Sequence, residues 1–245
     1  ILFLLFIGIK IKMKNLKTIV ITPTLNEINN ITAHIDNVVS AKFDLLIVDD
    51  NSEDGTYEEV QKNEFFDKNV FLIIRKNKKG LGTAYIEGFN WALNKDYDFI
   101  VEMDSDHSHK IEDLEEMMKI AKNFDLTIGS RYVKNGKTIG WSRRRKFLSK
   151  FSNILSRKIT KSLIYDMTSG FRIYKSDKLS ATKYYESDCN GYSFQIDMTL
   201  RAEKEGLTIK EYPITFVERS GGKSKMNWSI IIEAIIYLAN QVFKN

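Results

Sequence analysis

Two aspartates, Asp104 and Asp106, flank Ser105 directly after the apolar run Phe99-Ile100-Val101-Glu102-Met103. Carboxylates at this spacing on extended chain project to one side, and a pair of hard oxygen ligands clamps a divalent cation, Mg2+ or Mn2+, against a diphosphate. His107 and His109 follow at once, but His34 is the only other histidine. A multi-histidine zinc site therefore has few ligands to draw on, and both residues are expected to be local hydrogen-bonders, with a metal role as the alternative. A second acidic pair, Asp49-Asp50, closes Leu45 to Val48 and precedes Asn51-Ser52 and Asp54-Gly55-Thr56. Side chains alternate along a strand, so one of the two carboxylates is expected to face a crevice and accept from a base or ribose, while Ser52 or Asp54 caps the next helix.

Two basic stretches complete the inventory. Arg75-Lys76-Asn77-Lys78-Lys79-Gly80-Leu81-Gly82 is a loop whose glycines let backbone N–H groups approach a phosphate at a helix start. It is neither G-x-x-x-x-G-K-[ST] nor G-x-G-x-x-G, which sets aside the P-loop and the dinucleotide fingerprint. Arg143-Arg144-Arg145-Lys146 runs into Phe147, Leu148, Phe151, Ile154 and Leu155. Cations at headgroup level with apolar residues below suit a membrane surface.

The elements that must hold these groups alternate. Strands are expected at Thr18 to Thr22, Leu45 to Val48, Val70 to Ile74, Phe99 to Met103 and Leu126 to Ile128, with helices between them. Ile31, Ile35, Val38 and Val39 share one helical face, as do Leu81, Ala84, Tyr85, Gly88, Phe89 and Ala92. This β-α-β-α order predicts an α/β domain with a mainly parallel central sheet flanked by helices and ligands bound at the strands' carboxyl ends. Pro23 is expected to stop the first strand and Asn26 to cap the helix after it.

The 245 residues suit one domain, and 43% hydrophobic with 28% charged residues sets aside disorder and a polytopic membrane protein. A net charge of +5 with no helix-turn-helix or long basic arm does not indicate nucleic acid. The single cysteine, Cys189, forms no internal disulfide and points to the cytosolic side. Residues 1–17 read as an extension, since Ile1 to Ile9 is too short to span a bilayer and Met13 precedes the first strand, so the opening residues are expected not to be the native start. Trp228 to Phe243 carries apolar residues at helical spacing, an amphipathic helix that packs on the domain or lies on a membrane.

Pro23-Thr24-Leu25-Asn26-Glu27, Val48-Asp49-Asp50-Asn51-Ser52, Lys78 to Ala84 and Met103-Asp104-Ser105-Asp106 together resemble the family 2 glycosyltransferases of GT-A fold. Gly129-Ser130-Arg131-Tyr132, Gly140-Trp141, Arg145-Lys146-x-x-Ser149, Asp166 to Arg172, Gly191 to Gln195, and Phe216-Val217-Glu218-Arg219 through Ser224-Lys225-Met226 narrow the resemblance to the dolichyl-phosphate or polyprenol-phosphate mannose synthases. The resemblance implies an inverting transfer of mannose from GDP-mannose to a polyprenyl phosphate with a divalent metal. It covers a transferase domain over 18–226, leaving 227–245 as the amphipathic helix.

By position, the resemblance assigns Asp104 and Asp106 to the metal and diphosphate, with Ser105 beside them. Ser108 stands where some members have Gln at the metal, and water is an alternative ligand there. Pro23, Leu25, Glu27, Val48 and Asp50 match nucleoside-binding positions, and Lys78, Arg219 and Lys225 the donor-phosphate cations. Leu25 replaces a Tyr often found there, which loosens the assignment of the nucleotide. Arg131, Arg145, Lys146 and Ser149 match the acceptor-phosphate positions, Arg131 with a catalytic role beside Asp104 and Asp106. A peripheral enzyme on the cytoplasmic face of a membrane, with an anchoring subunit as an optional partner, is implied. A UDP-sugar transferase such as a polyprenyl-phosphate glucosyltransferase is the nearest alternative reading, and a non-catalytic lipid- or nucleotide-sugar-binding subunit a more distant one.

Overall fold

The structure, a computed structural model, describes residues 16–76, 80–218 and Tyr237. Its first half follows the expected alternation: β1 (Thr18–Thr24), α1 (Ile28–Ser40), β2 (Asp44–Asp49), α2 (Thr56–Lys62), β3 (Val70–Ile74), α3 (Leu81–Leu93), β4 (Phe99–Glu102), α4 (Ile111–Ala121) and β5 (Leu126–Ser130). The second half adds β6 (Lys137–Ile139), α5 (Arg143–Thr160), β7 (Arg172–Lys175), α6 (Ser176–Ala181), α7 (Gly191–Lys204), β8 (Ile209–Pro213) and β9 (Thr215–Val217). The main sheet runs β3-β2-β1-β4-β7-β5-β8, parallel throughout except for β7, which lies antiparallel between β4 and β5. β6 and β9 form a separate parallel pair.

Both sheet faces are covered, as near-continuous apolar strands require. Ile31, Ile35 and Val38 of α1 and Leu114 and Met117 of α4 bury one face with Val20, Ile47 and Val101. Ala84, Tyr85 and Phe89 of α3 and Phe194 and Met198 of α7 bury the other with Ile19, Ile21 and Ile100. Each such side chain taken fully from water contributes about 1.5–3 kcal/mol, which is what fixes the strands whose ends carry the chemistry.

Three local expectations are corrected. Pro23 does not stop β1, whose ladder continues through Pro23 opposite Val48 to Thr24 opposite Asp49. The Ile21 carbonyl accepts from Met103 on the β4 side, and by strand parity Pro23 faces that same side, beyond the last β4 pair, so its missing N–H removes no ladder bond. Asn26 does not cap α1: with φ 57 it turns the chain, its Oδ1 accepting from Glu53 N–H, while Ile28 N–H at the helix start is met by Asp54. Of the two capping candidates for α2, Ser52 accepts from Asn26 N–H, while Asp54 accepts from Thr56 N–H at the start of that helix at 3.1 Å. Finally, β4 ends at Glu102, so Asp104 and Asp106 lie beyond the strand, on a loop that bends at Ser105 to His107.

Residues 1–15 and, Tyr237 apart, 219–245 fall outside the described residues, as do Lys78, Arg219 and Lys225. Tyr237 is helical, packs against the α3 and α7 core and donates its hydroxyl to Asp197 at 2.9 Å.

Candidate active site

The first wall is built by β1 and β2. Asp49 is fully buried and accepts from the Thr24 and Ser52 hydroxyls and from Ser52 N–H, all at 2.7 Å, so it is a brace for the loops. Asp50 is the other member of the pair and turns to the basic loop, at 2.9 Å from Arg75 and accepting from Gly80 N–H at 3.1 Å. Gly80 has φ +92, and a Cβ there would stand 2.9 Å from Asn190 Oδ1, so the start of α3 is held to the start of α7 at a position open to glycine. Pro23 and Val48 are register partners in the same wall. Glu27 N–H donates to Thr56 and its carboxylate accepts from Asn30, while Leu25 lies between the braced residues Thr24 and Asn26. Arg75, directly after β3, is the residue of the basic loop that holds Asp50.

The turn after β4 forms the second wall. Asp106 Oδ1 accepts from Ser108 N–H at 3.1 Å, and His107 carries φ 58 at the bend. Asp104 N–H donates to His109 Nδ1 at 3.3 Å. Burial, the largest influence, holds the His109 pKa below its ordinary value, so the ring is neutral with its proton on Nε2, and it stacks on Phe171 at 4.6 Å. His109 is thus the local hydrogen-bonder expected. Asp104 and Asp106 stay partly exposed, whereas Ser105 and Ser108 are buried and Ser108 Oγ has no hydrogen-bond partner among the described residues. Two carboxylates and an orphaned hydroxyl form a hard-oxygen set that fits Mg2+ or Mn2+. Among the described residues no three His, Cys, Asp or Glu side chains converge.

A buried polar cluster of Glu102, Arg172 and Gln195 underlies the end of β4. Glu102, directly paired with Arg172 across β4 and β7, accepts from Gln195 Nε2 at 2.6 Å. Arg172 donates to the carbonyls of Ser169, Met167 and Gln195. β4, the loop before β7 and α7 are thereby tied together. Burial raises the Glu102 pKa, with Arg172 opposing.

The third wall rises from β5. Arg131 is buried and grips Asp166 through Nε and Nη2, each at 2.7 Å, with Thr168 Oγ1 accepting from Nη2 at 2.8 Å. Burial alone would lower its pKa; the Asp166 carboxylate more than offsets this and raises it. Trp141 lies under both arginines, 5.5 Å from Arg131 and 4.2 Å from Arg145. Ser142 caps α5 by accepting from Arg145 N–H, and Tyr132 donates to Ser149 Oγ at 2.6 Å. Arg131, Arg145 and Ser149 are therefore gathered around two aromatic rings, while Lys146 is exposed and none of the described hydrogen bonds joins it to them. This wall meets the metal-side turn: Phe216 touches both His109 and Trp141, and Val217 N–H donates to the Ser108 carbonyl at 3.1 Å.

A mainly parallel sheet covered by helices, with a two-carboxylate loop directly after β4, is the arrangement of the GT-A fold. Residues 19–182 match the family described as glycosyl transferase family 2. Over 223 residues the chain is 40% identical to the undecaprenyl-phosphate mannosyltransferase of Micrococcus luteus, covering 90% of this chain and 92% of that protein. It is 41% identical over 227 residues to the polyprenol monophosphomannose synthase of Mycolicibacterium smegmatis, covering 91% and 86%. Glucosyl-3-phosphoglycerate synthase from Mycobacterium tuberculosis, solved with Mn2+, UDP-glucose and phosphoglyceric acid, shares the fold at a TM-score of 0.71 and 16% identity, over 94% of this chain and 80% of that one. The chain belongs to glycosyl transferase family 2 and is a glycosyltransferase.

Proposed function

We propose that the chain transfers mannose from GDP-mannose to a polyprenyl phosphate with inversion at the anomeric carbon, within a unit spanning 18–226. The observation that carries this reading is the placement of Arg131 and Arg145 on one indole, joined through Phe216 to the Asp104 and Asp106 turn. Two guanidinium groups suit a phosphate acceptor, and the two relatives of about 40% identity are named for polyprenyl-phosphate substrates.

Asp50, Pro23, Leu25, Glu27 and Val48 line the nucleoside side, with Lys78, Arg219 and Lys225 supplying donor-phosphate charge. Asp104, Asp106 and Ser108 would hold the divalent cation, whose chemistry is to neutralise charge developing on the departing diphosphate. The acceptor phosphate, with a second pKa of about 6, is an anion at neutral pH and needs orienting more than deprotonating. Arg131 and Arg145, with Ser149 and Lys146 nearby, aim one of its oxygens at the anomeric carbon opposite the leaving group. No covalent enzyme intermediate is required.

α5 explains how the enzyme reaches a lipid. Its polar side faces inward: Asn153 accepts from Met167 N–H and donates to Thr168, and Ser156 is buried. Its apolar side faces out, with Phe147 73% and Phe151 52% exposed and Ile154 and Leu155 alongside. Arg143, Arg144, Lys146 and Lys150 surround this face. No helix among the described residues is long and apolar enough to cross a membrane. The exposed apolar face of α5, flanked by cations, supports its role as a surface contact with anionic lipid.

The test is transfer from labelled GDP-mannose, with UDP-glucose in parallel, to a detergent-solubilised polyprenyl phosphate, with Mg2+ or Mn2+ and with chelator. Metal-dependent mannosyl lipid is expected. Product from UDP-glucose alone overturns the donor, and no product from either overturns the reading of a polyprenyl phosphate as acceptor.

A further inference from the structure

Arg131 and Arg145 share the Trp141 ring but differ in their counter-ions. Asp166, on Arg131, is completely buried, while Glu218, 2.8 Å from Arg145 Nη1, has a side chain 38% exposed. The fold builds the second contact deliberately. β6 and β9 pair in parallel, and Glu218 N–H extends that ladder by donating to the Ile139 carbonyl at 2.9 Å. The next residue, Gly140, has φ +86, and a Cβ there would stand 2.7 Å from Glu218 Cβ. A glycine is what lets Glu218 close on Arg145.

We propose that Glu218 is a displaceable counter-ion of the acceptor site: its carboxylate occupies Arg145 when the site is empty, yields to the acceptor phosphate, and returns to help the product leave. The proposal rests on the reading above that Arg145 receives the acceptor phosphate. A carboxylate and a phosphate compete for the same guanidinium donors. An ion pair this exposed is weakly held, so exchange is feasible, whereas the bidentate, buried Asp166 is a fixed partner of Arg131. The acceptor is a monoester carrying close to two negative charges at neutral pH, and the product is a diester carrying one. Arg145 therefore holds the product less strongly than the acceptor, and Glu218 reclaims it more readily after transfer. Without Glu218 the site binds phosphate more tightly and releases product more slowly.

The experiment compares the wild-type chain with Glu218→Gln, which keeps the shape and removes the charge. Binding of inorganic phosphate and of a soluble short-chain isoprenyl phosphate is followed by phosphorus NMR titration, and acceptor KM and kcat are measured in the transfer assay. Both ligands are expected to bind about three- to fivefold more tightly to Glu218→Gln. Acceptor KM should fall without a rise in kcat, and the gain in binding should vanish when Arg145→Gln is added. Unchanged or weaker binding overturns the proposal and makes Glu218 a positioning partner that Arg145 needs. If the wild-type chain transfers to prenyl phosphate while Glu218→Gln binds no better, only the counter-ion role fails. If the wild type neither binds nor uses the isoprenyl phosphate, the acceptor reading fails and this proposal with it.

Discussion

Arg131 and Asp166, 35 residues apart in sequence, meet through two parallel N–H···O bonds of 2.7 Å, and the Arg131 backbone N–H adds a third to the same carboxylate at 2.9 Å. Because both groups are buried, neither can be removed cheaply. Asp166→Asn should destabilise the fold by about 3–5 kcal/mol by leaving a guanidinium without its counter-charge. Arg131→Lys keeps the charge but loses the fork, so acceptor KM should rise along with a loss of stability. Urea unfolding and acceptor kinetics on the same preparations check both, and a fully stable Asp166→Asn would contradict the role given to burial.

Asp106 presents the opposite case. It is partly exposed, and its described bond is one accepted from Ser108 N–H. Asp106→Ala should abolish turnover while changing stability by less than about 1 kcal/mol. Parallel loss of activity and fold would sink this separation.

On α5, Phe147→Asp and Phe151→Asp replace side chains that cover no part of the core. Stability should shift by no more than about 0.5 kcal/mol, while cosedimentation with vesicles containing anionic phospholipid should drop. Undiminished vesicle binding would remove α5 from the membrane contact.

His34 gives a pH prediction. It is buried against Thr22 at 2.9 Å, and burial above all, with His107 and His109 adding to it and Asp106 opposing, pushes its pKa down to about 3 from 6.5. The unfolded chain binds this proton at a pH where the folded chain does not. Its contribution to stability is therefore present above pH about 6.5 and is lost as pH falls towards about 3. Unfolding free energies at pH 7 and pH 5 should show wild type losing more than His34→Gln, and equal slopes would refute the assignment.

The sequence determined what apolar period and local spacing can determine. Val70 to Ile74 reads as a strand and is β3; the face Ala84, Tyr85, Gly88, Phe89 and Ala92 is the buried face of α3; and Asp49 and Asp50 do diverge, although only the structure shows that Asp50 meets Arg75. These features follow from burying apolar side chains in regular backbone, which leaves its mark on neighbouring residues. The antiparallel insertion of β7 left no such mark, because its buried residues include Arg172, a side chain that composition places at the surface. The partners Asp166 for Arg131, Glu218 for Arg145 and Gln195 for Glu102 are equally silent, since a hydrogen bond across 35 to 93 residues has no period to read. α5 joins the two kinds of information. Its amphipathicity is visible in the sequence, but only the bonds of Asn153 to Met167 and Thr168 decide that the polar side meets the protein and the apolar side is left facing outward.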